Sequence, residues 1–271
     1  MSQSPPRLLV IAGSDSSGGA GIQADIKTAQ AFGAYAQTAV TAVTVQDTRG
    51  VTHVHPVPAA IVAGQIKAAL DDIGADVIKI GMLGTAEIAA TVADILETND
   101  IPVVLDTVLL SSSGAPLLDE AGITVLKKRL IRRARLVTPN LPEAEALTGI
   151  YPKSEHRLRN AAMVFKMLGN DAVLFKGGHG QGGHVRDVLW TEGEFIAFEA
   201  PRQETRHTHG TGCTLATAIA CGLAQRQSLR DAVARAQTYV QQAIKTAPGL
   251  GQGHGPLNHA WHPLGPGPLS G

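Results

Sequence analysis

The sequence predicts a three-layer α/β/α sandwich, a mostly parallel central sheet with helices on both faces. Three observations predict it: short strand-like runs that are apolar on both faces, helical patterns between them, and glycine-rich turns at the junctions. Residues 8–12 (Leu-Leu-Val-Ile-Ala) read as a buried strand, followed by a glycine loop and an amphipathic helix near 22–32. The β-branched run 39–45 is the next strand, and 59–73 has helical spacing. Strand 76–80, helix 86–97 and strand 102–106 follow. Residues 136–138 and 172–175 continue the strands, with helices near 142–147 and 157–168. Residues 184–190 and 194–199 read as an antiparallel hairpin turning at Glu192-Gly193. Two helices, 212–223 and 229–243, complete the pattern, and the Gly-, Pro- and His-rich segment after Pro248 is expected to wrap the surface or stay loose.

Composition narrows the function. With 23 basic and 23 acidic side chains and 4% aromatic residues, the chain lacks the basic, base-stacking surface of a nucleic-acid binder. No apolar run approaches a membrane span, and residues 1–7 lack the basic start and apolar core of a signal peptide. Cys213 and Cys221 fall on one predicted helix, about 12 Å apart along its axis, beyond disulfide reach. The expectation is therefore a cytoplasmic protein that binds neither nucleic acid nor membrane. No repeat or linker divides it, so residues 1–271 are read as one domain, with 1–6 and about 260–271 flexible.

Three groups of residues carry chemical potential. The first is the loop 13–21 (Gly-Ser-Asp-Ser-Ser-Gly-Gly-Ala-Gly) between the first strand and its helix. Either its amides approach a ligand closely, or it is simply a tight turn; it matches neither a Walker loop nor dinucleotide spacing. The second is His209-Gly210-Thr211-Gly212-Cys213 before a run of good helix formers. Its N–H groups and the helix dipole suit a transferring phosphoryl group, and a thiol in that first turn is expected to have a lowered pKa. The alternative for Cys213 is a small buried apolar residue, the reading adopted for Cys221.

The third is a dispersed set at strand ends. Asp106 follows one apolar run, Asn140 and Glu143 another, and Lys176 a third, all where a parallel sheet places its ligand crevice. Oxygen ligands such as Asp106 and Glu143 suit Mg²⁺, although Asn140 and Glu143 equally suit a helix cap. Lys176 reads as a point charge for nucleotide phosphates, or as a solvated lysine.

In that order, these motifs resemble the hydroxymethylpyrimidine/phosphomethylpyrimidine kinases of the ribokinase-like superfamily. The likeness covers the loop 13–28, Lys79-Ile-Gly-Met-Leu83, Asp106-Thr-Val, Thr138-Pro-Asn-Leu-Pro-Glu143, Lys176-Gly-Gly-His, His209–Cys213 and Gly253-His-Gly-Pro-Leu-Asn258. The resemblance implies two successive ATP-dependent phosphorylations, of 4-amino-5-hydroxymethyl-2-methylpyrimidine and then of its monophosphate, and a homodimer. It implies that 210–213 form the anion hole with Cys213 as base, and that Asp106 and Glu143 arrange Mg²⁺. It further implies that Lys176, with Asn140 and Thr208, meets ATP, and that Gly13, Asp25, Gln46 and Met82 form the pyrimidine site. The Gln46 amide offers the donor and acceptor that an aminopyrimidine edge requires, and Met82 a polarizable surface for the ring. Departures from the family pattern are Ser16 for Pro, Leu109 for Met, and 111–113 (Ser-Ser-Ser), where a Lys is common. The rival readings are a pyridoxal or pyridoxine kinase of this fold and a non-catalytic nucleotide-binding protein.

Overall fold

Side chains of the first strand alternate between two cores. Leu9 and Ile11 join one cluster while Leu8, Val10 and Ala12 join the other, so this strand is buried on both faces. The computed structural model describes residues 4–261 apart from 112–113, 115 and 180–182. The expected flexible ends therefore lie largely outside the described residues, as does most of the departure at 111–113.

The elements run β1 (Arg7–Asp15), α1 (Gly21–Ala31), β2 (Tyr35–Asp47), β3 (Gly50–Pro56), α2 (Ala59–Asp72), β4 (Val77–Ile80), α3 (Ala86–Leu96) and β5 (Val103–Leu105). Next come α4 (Glu120–Val125), a π-helical turn (Leu126–Leu130) and α5 (Ile131–Arg133). β6 (Leu136–Val137), α6 (Leu141–Thr148), α7 (Glu155–Met167), β7 (Ala172–Phe175), β8 (His184–Thr191), β9 (Glu194–Pro201), α8 (Thr211–Ala224) and α9 (Leu229–Lys245) complete the chain. The strands form one sheet in the order β3-β2-β1-β4-β5-β6-β7-β8-β9. Pairing is parallel from β2 to β7 and antiparallel at both edges. Helices α2, α3, α6 and α7 cover one face and α1, α8 and α9 the other. That is the three-layer fold the sequence predicts.

The hairpin turns at Glu192 (φ 53°) and Gly193 (φ 82°), two positive dihedrals that match the twist of the flanking strands. Two elements escape the sequence pattern. β3 is an edge strand with mostly solvent-facing Thr and His side chains, so it shows no apolar alternation. In α4–α5, a glycine and a run of basic residues interrupt the apolar spacing across the π-turn.

Of the two alternatives for the segment after Pro248, its described residues follow the first and pack along the surface. Leu257 and His259 are buried, and the Asn258 amide donates to Ala243 O. The His254 amide donates to Thr48 O at 2.7 Å, and Tyr239 Oη donates to His259 O at 2.7 Å. Its glycines permit this contact, since a methyl on Gly253 would collide with the Thr48 backbone. Thr214 and His259 share a hydrogen bond at 3.0 Å, fixing the strap to α8. Burial holds the His259 imidazole well below its ordinary value, at about 4, so it stays neutral there.

Candidate active site

Every parallel strand delivers its carboxyl end to one cleft of about 900 Å³. Asp15 closes β1, Met82 follows β4, Asp106 follows β5, Asn140 follows β6 and Lys176 follows β7; all five line it, with the first turn of α8.

The glycine loop is organised inward. Asp15, buried at 3% exposure, accepts the Ser17 amide at 2.8 Å, the Ser17 hydroxyl at 2.9 Å, the Gly19 amide at 3.2 Å and the Ala20 amide at 2.8 Å. Three of the loop amides that the glycine pattern offers to a ligand are therefore taken by Asp15. The same carboxylate meets His209 Nε2 at 2.8 Å, bolting this loop to the one preceding α8. Burial works against the Asp15 charge, but the bonds from His209 and Ser17 outweigh it and hold the carboxyl at about 2. A depressed acid stabilises the fold above its unfolded value near pH 4, and that contribution disappears as pH falls through about 2. Asp15→Asn should therefore lower unfolding free energy by about 2 kcal/mol at neutral pH and by far less near pH 2. Urea titrations at both pH values check this; an equal deficit would mean the carboxylate charge is not what holds the loop.

Two backbones interlock at this bolt. Gly210 has φ 83°, and a methyl there would collide with the Gly19 carbonyl oxygen; one on Gly19 would come 2.5 Å from His209 Cδ2. Gly210 is the N-cap of α8, so its left-handed backbone aims the first turn at the cleft. The Thr211 amide turns back to Thr208 O at 3.3 Å. The first-turn amides of Gly212 and Cys213, which lie beyond any intrahelical acceptor, are left for an anion. Thr208 lines the cleft beside them.

Lys176 Nζ lies 2.8 Å from Asp106 Oδ1 and 3.9 Å from Glu143 Oε2. Burial pulls this lysine down, but Asp106 and Glu143 outweigh it and raise its pKa to about 12. Asp106 resists burial through Lys176 and Lys79, which lower its pKa, whereas burial raises that of Glu143. A methyl on Gly212 would lie 3.4 Å from Lys176 Nζ and 3.6 Å from Asp106 Oδ2, so cation, carboxylate and helix terminus converge at this glycine. Asn140 and Glu143 also form a reciprocal capping box at α6, each side chain meeting the other's backbone amide at 2.8 Å. The structural alternative for this pair is thus realised, and Glu143 additionally accepts Thr107 Oγ1 at 3.0 Å.

Among the described residues, no group of three or more His, Cys, Asp or Glu could hold a metal unaided. Asp106 and Glu143 are oxygen donors beside the anion-binding turn. They fit an ion such as Mg²⁺ that keeps its waters and takes its other ligands from phosphates.

The pyrimidine residues divide. Gly13, Gln46 and Met82 line the cleft. A methyl on Gly13 would come 2.9 Å from Met82 Sδ, so the glycine makes room for the sulfur at the strand end. Gln46 Oε1 accepts Thr44 Oγ1 at 3.2 Å, which orients the amide, and its Nε2 lies 3.3 Å from His209 Nε2. Asp25 does not join them. It is fully buried, paired with Lys79 Nζ at 2.8 and 3.0 Å and accepting Thr217 Oγ1 at 2.6 Å. The expectation that it lines the pocket is corrected, because α1 directs it under the cleft floor.

Cys213 lines the cleft, while Cys221 is buried as expected. The expected lowering of the Cys213 thiol is not found. Burial dominates and raises it to about 11, against the opposing charge of Lys79 and a hydrogen bond from the Gly21 amide.

Sequence reasoning missed two further features, one residue and one long-range pair. Asp187 caps the Gly177 amide at 2.7 Å and accepts Gln237 Nε2 at 2.7 Å, shaping the turn that carries Lys176. The Asp15–His209 bolt joins residues 194 positions apart, and its one sequence signal is the side-chain-free Gly19 and Gly210.

The family model described as phosphomethylpyrimidine kinase matches residues 15–258. The chain belongs to this family. It is 46% identical over 257 residues to the hydroxymethylpyrimidine/phosphomethylpyrimidine kinase of Streptomyces coelicolor, covering 95% of each chain. It is 49% identical over 253 residues to the thiamine biosynthesis bifunctional protein ThiED of Geobacter sulfurreducens, covering 93% of this chain and 52% of that one, so it spans about half of that relative. Among solved structures, an ADP complex of Bacillus subtilis pyridoxal kinase matches with TM-score 0.87 and 33% identity, covering 95% of this chain and 98% of that one. As a member of the phosphomethylpyrimidine kinase family, the chain carries its cleft at the carboxyl edge of a ribokinase-like sheet.

Proposed function

We propose that this phosphomethylpyrimidine kinase family member transfers the γ-phosphoryl group of ATP to 4-amino-5-hydroxymethyl-2-methylpyrimidine, and then a second to the resulting monophosphate, in thiamine biosynthesis. One observation carries the reading: Lys176, Asp106 and the first turn of α8 converge at Gly212 in the cleft that also holds Gln46 and Met82. Gln46 orients the aminopyrimidine edge and Met82 backs the ring. In the first step the hydroxymethyl oxygen forms a bond to the γ-phosphorus, the bond to the ADP oxygen breaks, and the alcohol proton passes to the Cys213 sulfur as thiolate. The amides of Gly212 and Cys213 receive the charge spread over the phosphoryl oxygens. Lys176, Asn140 and Thr208 hold the nucleotide side. Asp106 and Glu143 would hold Mg²⁺, which when bound neutralises phosphate charge. In the second step the attacking phosphate oxygen is already ionised.

The fold match to pyridoxal kinase favours a second acceptor, pyridoxal, whose hydroxymethyl heterocycle is similar. Only the pyrimidine reading yields a diphosphate, so ADP release is to be measured with the pyrimidine alcohol, its monophosphate and pyridoxal. Release with pyridoxal alone would replace the proposal, and release with none in an ATP-binding preparation would favour a binding protein. The proposal extends to a cytoplasmic homodimer. Val43 and Val45, 49% and 58% exposed on β2, support the dimer, and a monomeric sedimentation coefficient would contradict it.

A further inference from the structure

The pair Lys79–Asp25 is fully buried, and the reaction scheme above gives it no task. A buried ion pair is a poor source of stability, because desolving two charges offsets most of their attraction. Its position is informative instead. Lys79 lies between Ile78 and Ile80 on β4 and points to the opposite face from them, toward α1 and α8. A methyl on Gly81 would come 3.0 Å from Lys79 Nζ, so the ammonium leans toward the carboxyl end of the strand, where the cleft lies. Asp25 reaches it from α1 and Thr217 joins from α8. Thr217 is four residues after Cys213, one turn along the same helix face.

We propose that Lys79, anchored by Asp25 and Thr217 under the first turn of α8, is a positioning residue that holds a fixed positive charge beneath Cys213 and so favours its thiolate. This rests on the reading of Cys213 as the base. Lys79 is 0% exposed, so it acts through its field alone. The charges around the sulfur are Lys79 from β4, Asp25 from α1, Asp106 after β5 and Lys176 after β7, and the Gly21 amide donates to it. Lys79 is the strongest of the influences that favour the thiolate. Burial pulls Lys79 toward neutrality, but Asp25, Cys213 and Asp106 outweigh it and keep the ammonium charged.

The test is the rate at which iodoacetamide alkylates Cys213, located by mass spectrometry and followed between about pH 7 and 9.5. Lys79→Met alone leaves a carboxyl buried without its cation, so the informative variant is Lys79→Met with Asp25→Asn. Lys79→Gln with Asp25→Asn is the companion that retains hydrogen bonds without charge. Below its pKa a thiol is alkylated in proportion to its thiolate, about tenfold per pH unit. The loss of the Lys79 charge is partly offset by the loss of the opposing Asp25 charge, so the folded double variants should react roughly two- to fivefold more slowly than the native chain at each pH, and equally fast in urea. Variant rates that equal or exceed the native rate would overturn the proposal. Failure of the base assignment reads separately, as a Cys213→Ala enzyme that keeps its first step.

Discussion

Replacing Cys213 by alanine is expected to slow phosphorylation of the pyrimidine alcohol by about 10²- to 10⁴-fold, while phosphorylation of the monophosphate falls far less. The asymmetry follows from the nucleophiles. An alcohol must lose its proton as it attacks phosphorus, whereas a phosphate monoester has completed its second ionisation near pH 6. The anion-binding amides, Lys176 and Asp106 are common to both steps, so their contribution survives the substitution. Because burial holds the thiol at about 11, its thiolate is scarce at neutral pH and grows about tenfold per pH unit below that value. First-step kcat/KM should therefore climb with pH through the neutral and mildly alkaline range, and second-step kcat/KM should stay nearly flat. Steady-state rates with each acceptor check both statements. Equal losses in Cys213→Ala, or parallel pH profiles, would remove cysteine from the role of base.

Gly210→Ala is expected to be as damaging through the backbone alone. At φ 83° an alanine is strained, and its methyl has no free space because the neighbour is the Gly19 carbonyl and not a side chain that can swing away. The two loops must separate, which loosens the Asp15–His209 bolt and turns the amides of Gly212 and Cys213 away from the phosphoryl position. The cost is roughly 2–4 kcal/mol of stability, a drop in Tm of about 5–15 °C, with at least about 100-fold lower kcat for both steps. Differential scanning calorimetry and kcat measurements suffice. Gly84→Ala, at φ 81° with open space around the Cβ position and outside the cleft, is the matched control.

How legible was this site? The central strands announce themselves because burial on both faces demands unbroken apolar runs, as at 8–12 and 103–105. The strand-end residues Asp106, Asn140 and Lys176 were legible for the same reason, since each follows such a run where a parallel sheet opens its crevice. Glu143 is readable both as ligand and as cap, and the capping box with Asn140 shows that it serves as a cap. Asp25 was misplaced because a motif shows which residues recur together and not which way a helix turns them. Lys79, one charge inside an apolar strand, requires a buried partner, and apolar patterning does not show that Asp25 supplies it. The lowered thiol expected from a helix terminus was overridden by desolvation, a property of packing that sequence does not display. The composition of the strap after Pro248 leaves wrapping and looseness both open, and its glycines are what let it lie against Thr48 and His207.

The central claim is that one cleft performs two phosphoryl transfers on one heterocycle. Its most direct measurement is the mass of the products formed from ATP, Mg²⁺ and the pyrimidine alcohol. The monophosphate should form early and the diphosphate later, with two ADP released per diphosphate. A product that stops at the monophosphate, while added monophosphate is also left untouched, would contradict it.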